Sequence, residues 1–140
     1  MTDRIVTVSH RFEVSPERLF DAFLNPQIAR LFMFATPTGE MMQVEIEPRV
    51  GGAYSFTERR DGAEIAHVGQ ILQLERPSRL VFEFSVPKYD PRKTTVELDI
   101  KADGAGSVLT LTHRGVDEAY LDQTGQGWTK ILAQAVKTVL

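Results

Sequence analysis

The 140-residue chain is long enough for one domain and too short for two ordinary ones, and at this length roughly two-thirds of the unfolded surface can be buried without a disulfide or metal staple. Hydrophobic residues make up 42% and charged residues 25%, with no cysteine, which excludes disulfides, thiolate nucleophiles and zinc–thiolate sites. Sixteen basic residues against nineteen acidic ones give a net charge of −3. No basic run is present for a polyanion to follow, so nucleic acid is not an expected partner. No apolar run approaches the ~20 residues of a membrane helix, and Met1-Thr2-Asp3-Arg4 leads into a polar-alternating strand, so the expectation is a soluble, cytoplasmic protein with no membrane partner.

In chain order, Val6, Val8, His10, Phe12 and Val14 alternate with polar residues and read as a strand with one buried face. Ser15-Pro16-Glu17 then supplies an N-cap, a proline at the first helical position and an acid in the first turn. Leu19, Phe20 and Phe23 share a face of that helix, and Asn25-Pro26 ends it and begins a second short one through Gln27–Leu31. Met42, Val44 and Ile46 alternate with Gln43, Glu45 and Glu47 as the next strand.

After Gly51-Gly52, five strands follow one another as a meander. Asp61-Gly62 separates Tyr54–Arg60 from Glu64–Leu74 as a two-residue hairpin of the type I′ class. Arg76-Pro77-Ser78 turns the chain into Arg79–Val86. Asp90-Pro91-Arg92-Lys93 reads as a solvated charged turn, and Val96, Leu98 and Ile100 carry the next strand. Asp103-Gly104-Ala105-Gly106 turns it into Ser107–Arg114. From Asp117 to Leu140 the period changes: Tyr120, Leu121, Trp128, Leu132, Ala135, Val136 and Val139 recur at three- and four-residue steps, a helix of about 24 residues and about 36 Å. Gly125 and Gly127 weaken it and are expected to mark a bend or a close approach to the sheet.

No helix-length segment lies between the later strands, so a parallel βαβ sheet is not expected. The pattern predicts a single α+β domain over residues 1–140: a curved, seven-stranded antiparallel sheet around a long C-terminal helix, with two short helices after the first strand. A curved sheet gripping one helix does not pack flush everywhere, and the space between them is the expected place for an apolar cavity.

Arg11-Phe12, the run Ser15 to Phe23 and Asn25-Pro26 resemble the opening of the START/birch-pollen-allergen-like (SRPBCC) superfamily. Arg49-Val50-Gly51-Gly52, His67-Val68-Gly69, Arg76 to Phe82 and Gly127-Trp128 are similar to its branch named after the activator of heat-shock protein 90 ATPase. The resemblance covers nearly the whole chain and implies the helix-grip fold and a ligand cavity. That branch often has a tryptophan after the short helices, where this chain has Phe32, expected to keep the pocket lining while changing its shape. The resemblance places His67 on a central strand near the cavity.

On that fold Phe32, Phe34, Phe56, Phe82, Phe84, Tyr120 and Trp128 converge on one interior, and with His67 and Leu132 they are the expected ligand-binding set. A solid aromatic core is the competing reading. No catalytic residue is singled out: most strand carboxylates, including Glu45, Glu83, Glu97 and Asp99, fall on the wet face, while Glu58 and Glu64 are undecided. His10 and His113 sit on apolar strand faces that the fold places side by side, but no close His/Glu ligand pair accompanies them and no metal is expected. Gly125-Gln126-Gly127 lacks the strand before it and the third glycine of a nucleotide loop, so no cofactor is expected. The functional expectation is binding of a small hydrophobic or aromatic molecule. A chaperone-associated, ATPase-activator-like interaction module is the alternative that the resemblance implies, and an enzyme of the cyclase, dehydratase or hydrolase kind is a third.

Overall fold

Seven antiparallel strands form a single curved sheet in the order β1-β7-β6-β5-β4-β3-β2, in a computed structural model that describes residues 4–140. The strands are β1 (Ile5–Phe12), β2 (Glu40–Ile46), β3 (Tyr54–Arg60), β4 (Ala63–Glu75), β5 (Arg79–Val86), β6 (Asp90–Asp103) and β7 (Gly106–Arg114). The helices are α1 (Pro16–Leu24), α2 (Pro26–Ala29) and α3 (Leu121–Val139), the last preceded by a 3-10 turn at Glu118–Tyr120. Strands β2 to β7 are each joined to the next as neighbours, and β1 closes the other edge by pairing with β7, Val6 opposite His113 and His10 opposite Leu109.

Local chemistry accounts for the boundaries. The Ser15 side chain accepts from the Arg18 N–H to cap α1, and Asn25 both ends α1 and caps α2 by accepting from Gln27 N–H, with Pro26 at the first helical position. Asp61 and Gly62 both have positive φ, 52° and 79°, between the paired Arg60 and Ala63, as a type I′ hairpin requires.

The chain departs from its sequence pattern at four places. The C-terminal helix has 19 residues, about 28 Å at 1.5 Å per residue, because Asp117 caps a separate 3-10 turn and Tyr120 (φ −112°, ψ 6°) interrupts the α conformation. Neither helix glycine makes a tight approach: a Cβ at Gly125 would meet Val6 at an ordinary 3.6 Å, and one at Gly127 would meet nothing. Asp90 to Lys93 is strand rather than turn, since Asp90 pairs with Val86 and the reversal falls at 87–89. In β2 the register slips between Met41 and Gln43, leaving Met42 exposed instead of turned inward.

The core lies between the concave face and the helices. Leu19, Phe20, Ala22 and Phe23 of α1 and Trp128, Leu132, Ala135 and Val139 of α3 are buried against Phe56, Phe82, Val96, Leu98, Leu109 and Leu111 of the sheet. Among the described residues no helix is long and apolar enough to cross a membrane.

The Tyr54 hydroxyl, buried on β3, donates to the Phe23 carbonyl at 2.8 Å. That carbonyl belongs to the last turn of α1, where carbonyls have no partner within the helix. Tyr54→Phe should therefore lower unfolding free energy by about 1–2 kcal/mol without altering the fold, read from urea denaturation midpoints. An unchanged midpoint would mean that the hydroxyl does not hold the helix end.

Candidate functional site

The inward-facing residues change character at one end of the sheet. Along β3 they run Tyr54, Phe56, Glu58, Arg60; along β7, Leu109, Leu111, His113; and along β6, read backwards, Ile100, Leu98, Val96, Thr94, Arg92, Asp90. Apolar side chains give way to polar ones where the sheet meets the start of α3. There a cavity of about 480 Å3 opens. Ile65, His67, Phe84, Val86, Thr94 and His113 line it from the strands, and Val116, Asp117, Tyr120, Gln123 and Thr124 from the approach to α3 and its first turn. Tyr89 and Tyr120, both exposed, stand at its rim with Asp90 and Arg92.

A chain of hydrogen bonds crosses the back of this site. The Trp128 indole N–H donates to Nδ1 of His113 at 3.0 Å. An indole nitrogen is only a donor, so Nδ1 carries no proton and the hydrogen is on Nε2. Nε2–H donates to Oγ1 of Thr94 at 2.7 Å, which donates onward to the Phe84 carbonyl at 3.1 Å. Helix α3 is thereby tied through β7 to β6 and β5. The other cavity histidine is oriented differently: His67 Nδ1 lies 3.3 Å from the Phe56 carbonyl, which only accepts, so Nδ1 holds the hydrogen and Nε2 is bare.

Phe34 closes the inner side of these rings. It stacks on His67 with centroids 4.3 Å apart and 14° between planes, and on Phe84 at 5.3 Å and 17°. It also meets Phe56 and Trp128 edge-on. Its φ of +57° is the left-handed region, strained for an aromatic residue. The following loop is held by Glu58, a buried carboxylate that accepts from Thr36 N–H at 2.8 Å and Thr36 O–H at 2.7 Å and pairs with Arg60. A Cβ on Gly39 would come within 2.0 Å of the same carboxylate, so only glycine fits. Burial raises the Glu58 pKa, but the Thr36 and Arg60 contacts outweigh it and hold the group below its ordinary value.

Of the nine residues expected to bind ligand, His67, Phe84 and Tyr120 line the cavity. Phe34 and Trp128 lie directly behind its wall, against His67, Phe84 and His113. Phe56 packs behind Phe34, Phe82 against Tyr54, and Leu132 in the core between α3 and the sheet. Phe32 is fully buried edge-on to Phe23 of α1 and does not reach the cavity. These six side chains are the core beneath the site, because the cavity sits at the end of the concave face and not at its centre. His10 and His113 occupy neighbouring strands four residues apart and do not meet, and among the described residues no cluster of metal-ligating side chains occurs. Of the undecided carboxylates, Glu58 is buried and Glu64 exposed. Asp90, Arg92, Thr94 and Asp117 also line the cavity, beyond the residues expected from the sequence. For Asp90, Arg92 and Thr94 the signal is the inward parity they share with Val96, Leu98 and Ile100, continued into polar residues, whereas Asp117 lies outside the strands and carries no such signal.

Helix, sheet and cavity together define a helix-grip protein. The chain belongs to the family of Activator of Hsp90 ATPase homolog 1-like proteins, which matches residues 13–140. No curated protein sequence matches it. Among solved structures it is similar to protein CV1439 of Chromobacterium violaceum (22% identity, 96% of each chain covered, TM-score 0.88). It is also similar to SA2116 of Staphylococcus aureus, described as a protein of unknown function (14%, 99% of this chain and 94% of that one, TM-score 0.85), and to CalU16 of Micromonospora echinospora (22%, 98% and 76%, TM-score 0.75). At these identities the likeness is one of fold.

Both cavity histidines are held neutral. Burial pushes His67 from 6.5 down to about 4, only partly opposed by the Phe56 carbonyl, and burial does the same to His113. The unfolded chain takes up these protons near pH 6.5, while the folded chain does so only near 4. Stability is therefore full above about pH 7 and falls as pH drops from 6.5 towards 4, by up to roughly 1.4 kcal/mol per pH unit for each histidine. Urea midpoints at pH 7.5 and 5 should differ accordingly, and a flat profile would refute neutral burial. His113→Phe should remove part of that dependence and, by orphaning the Trp128 N–H, cost about 1–3 kcal/mol at pH 7.5.

Proposed function

We propose that the protein binds a small apolar or aromatic molecule in the cavity between the sheet and the start of α3. The observation that carries this reading is the cavity itself: its volume falls in the range of small-molecule sites, and its walls combine aromatic and aliphatic faces with a few convergent polar groups. Proteins of this fold family commonly bind hydrophobic ligands, which supports it. A chaperone-associated role rests on the family's name alone and stands second.

The test uses prodan, a neutral naphthalene dye. It should bind the native protein saturably at one equivalent and raise the melting temperature, because a ligand that prefers the native state stabilises it by mass action. Trp128 abuts Phe84 and His113, both cavity walls, so its emission should shift on binding. Val86→Trp, which puts a large side chain on a cavity wall at the end of β5, should weaken prodan binding about tenfold or more while circular dichroism stays native. Prodan binding that appears only on partial unfolding, or that ignores Val86→Trp, would overturn the proposal.

A further inference from the structure

The polar groups of the cavity are not equally available. Arg60 directs Nε and Nη2 at Glu58, and Arg92 is clamped between Asp90 and Asp117. Each cation of the wall is already matched by carboxylate, and among the described residues no uncompensated positive charge lines the cavity to hold an anion. His113 has both nitrogens engaged, by Trp128 and Thr94.

His67 is different. Its Nδ1–H is committed to the Phe56 carbonyl, and among the described residues nothing bonds to Nε2. No buried side-chain nitrogen or oxygen among them lacks a partner, so the unpartnered Nε2 is not sealed from solvent, and His67 lines the cavity. Its inner face is covered by Phe34, stacked at 4.3 Å, and the ring is fixed at both Nδ1 and that face. The result is a rigid, neutral acceptor with a lone pair, set beside the Phe84 ring in a nearly parallel plane (8°). A lone pair attracts an O–H or N–H and repels a carboxylate or an ether oxygen.

We infer that the cavity selects a neutral aromatic molecule bearing a hydrogen-bond donor, a hydroxyl on a flat ring system being the simplest case, with the donor received by Nε2 of His67 and the ring held against Phe84; this rests on the ligand-binding reading above. The site discriminates by leaving the acceptor unpaired when a ligand without a donor enters, which weakens that ligand about tenfold or more.

Three naphthalenes of similar outline test it by calorimetric titration at pH 7.5: 1-naphthol, 1-methoxynaphthalene and 1-naphthoate. In the wild-type protein 1-naphthol should bind about tenfold tighter than 1-methoxynaphthalene, and 1-naphthoate weakest of the three. His67→Phe keeps a ring against Phe34 and Phe84 but has no acceptor. It should bring the naphthol-to-methoxynaphthalene ratio near one, chiefly by tightening methoxynaphthalene, which no longer leaves a buried acceptor unpaired. His67→Gln, which retains an acceptor oxygen, should keep part of the preference, and with the wild-type ratio it decides the matter should His67→Phe not fold. Equal binding of naphthol and methoxynaphthalene, a preference that survives His67→Phe, or tightest binding of naphthoate would each overturn the inference while leaving the cavity a ligand site. Binding of none of the three, with prodan also failing to bind, would remove the ligand-binding reading itself.

Discussion

One hydrogen bond decides how the long helix meets the sheet: the Trp128 indole N–H on Nδ1 of His113. Apolar burial is non-directional, so the stripe by itself sets the helix's position less sharply than a directional contact does. A buried N–H that must find an acceptor is such a contact. The bond places Trp128 opposite the end of β7, and the onward links through Thr94 to the Phe84 carbonyl lock that end to β6 and β5. The helix side of the cavity follows from this register. Gln123 and Thr124, a turn before Trp128, come to rest over the mouth, and the 3-10 turn is held where Tyr120 stands at the rim.

The same chain of bonds explains what the sequence made legible. Alternation and turn residues identified every strand, the type I′ hairpin at Asp61-Gly62 and both short helices, because each rests on local chemistry: period-two burial, positive φ, capping. Helix ends and turn positions near the cavity were not local. Asp90 to Lys93 looked like a turn because proline and charges commonly mark one, yet cross-strand pairing with β5 drew the segment into the sheet. The aromatic set was legible as a cluster but not as a wall with two sides. Which of Phe34, Phe84 and Trp128 faces the opening depends on where the helix starts relative to the strand ends, and that is fixed by tertiary contacts.

Phe34 shows how a strained residue is kept in place. A left-handed backbone for an aromatic residue costs on the order of 1–3 kcal/mol. It persists because the ring gains stacking partners in His67 and Phe84 and because the loop beyond it is fastened to Glu58 through Thr36. Glu58 is also the partner of Arg60 at the cavity. One buried carboxylate therefore holds both the residue that backs the cavity and the arginine that borders it, and a change at either is felt by the other.

The slip of register in β2 has an effect outside the fold. An open sheet leaves two free borders, and a straight border strand offers its amides to any extended chain that arrives. In β2 the extra residue at Met42 throws alternate backbone groups out of line, and Glu40 and Glu45 stand exposed on either side of the break. An incoming strand would find its hydrogen bonds out of step halfway along and its own carboxylates crowded by these two. The irregularity that spoiled the tidy alternation of Met42, Val44 and Ile46 thus acts as a guard against clumping, one that works before any folded partner is met.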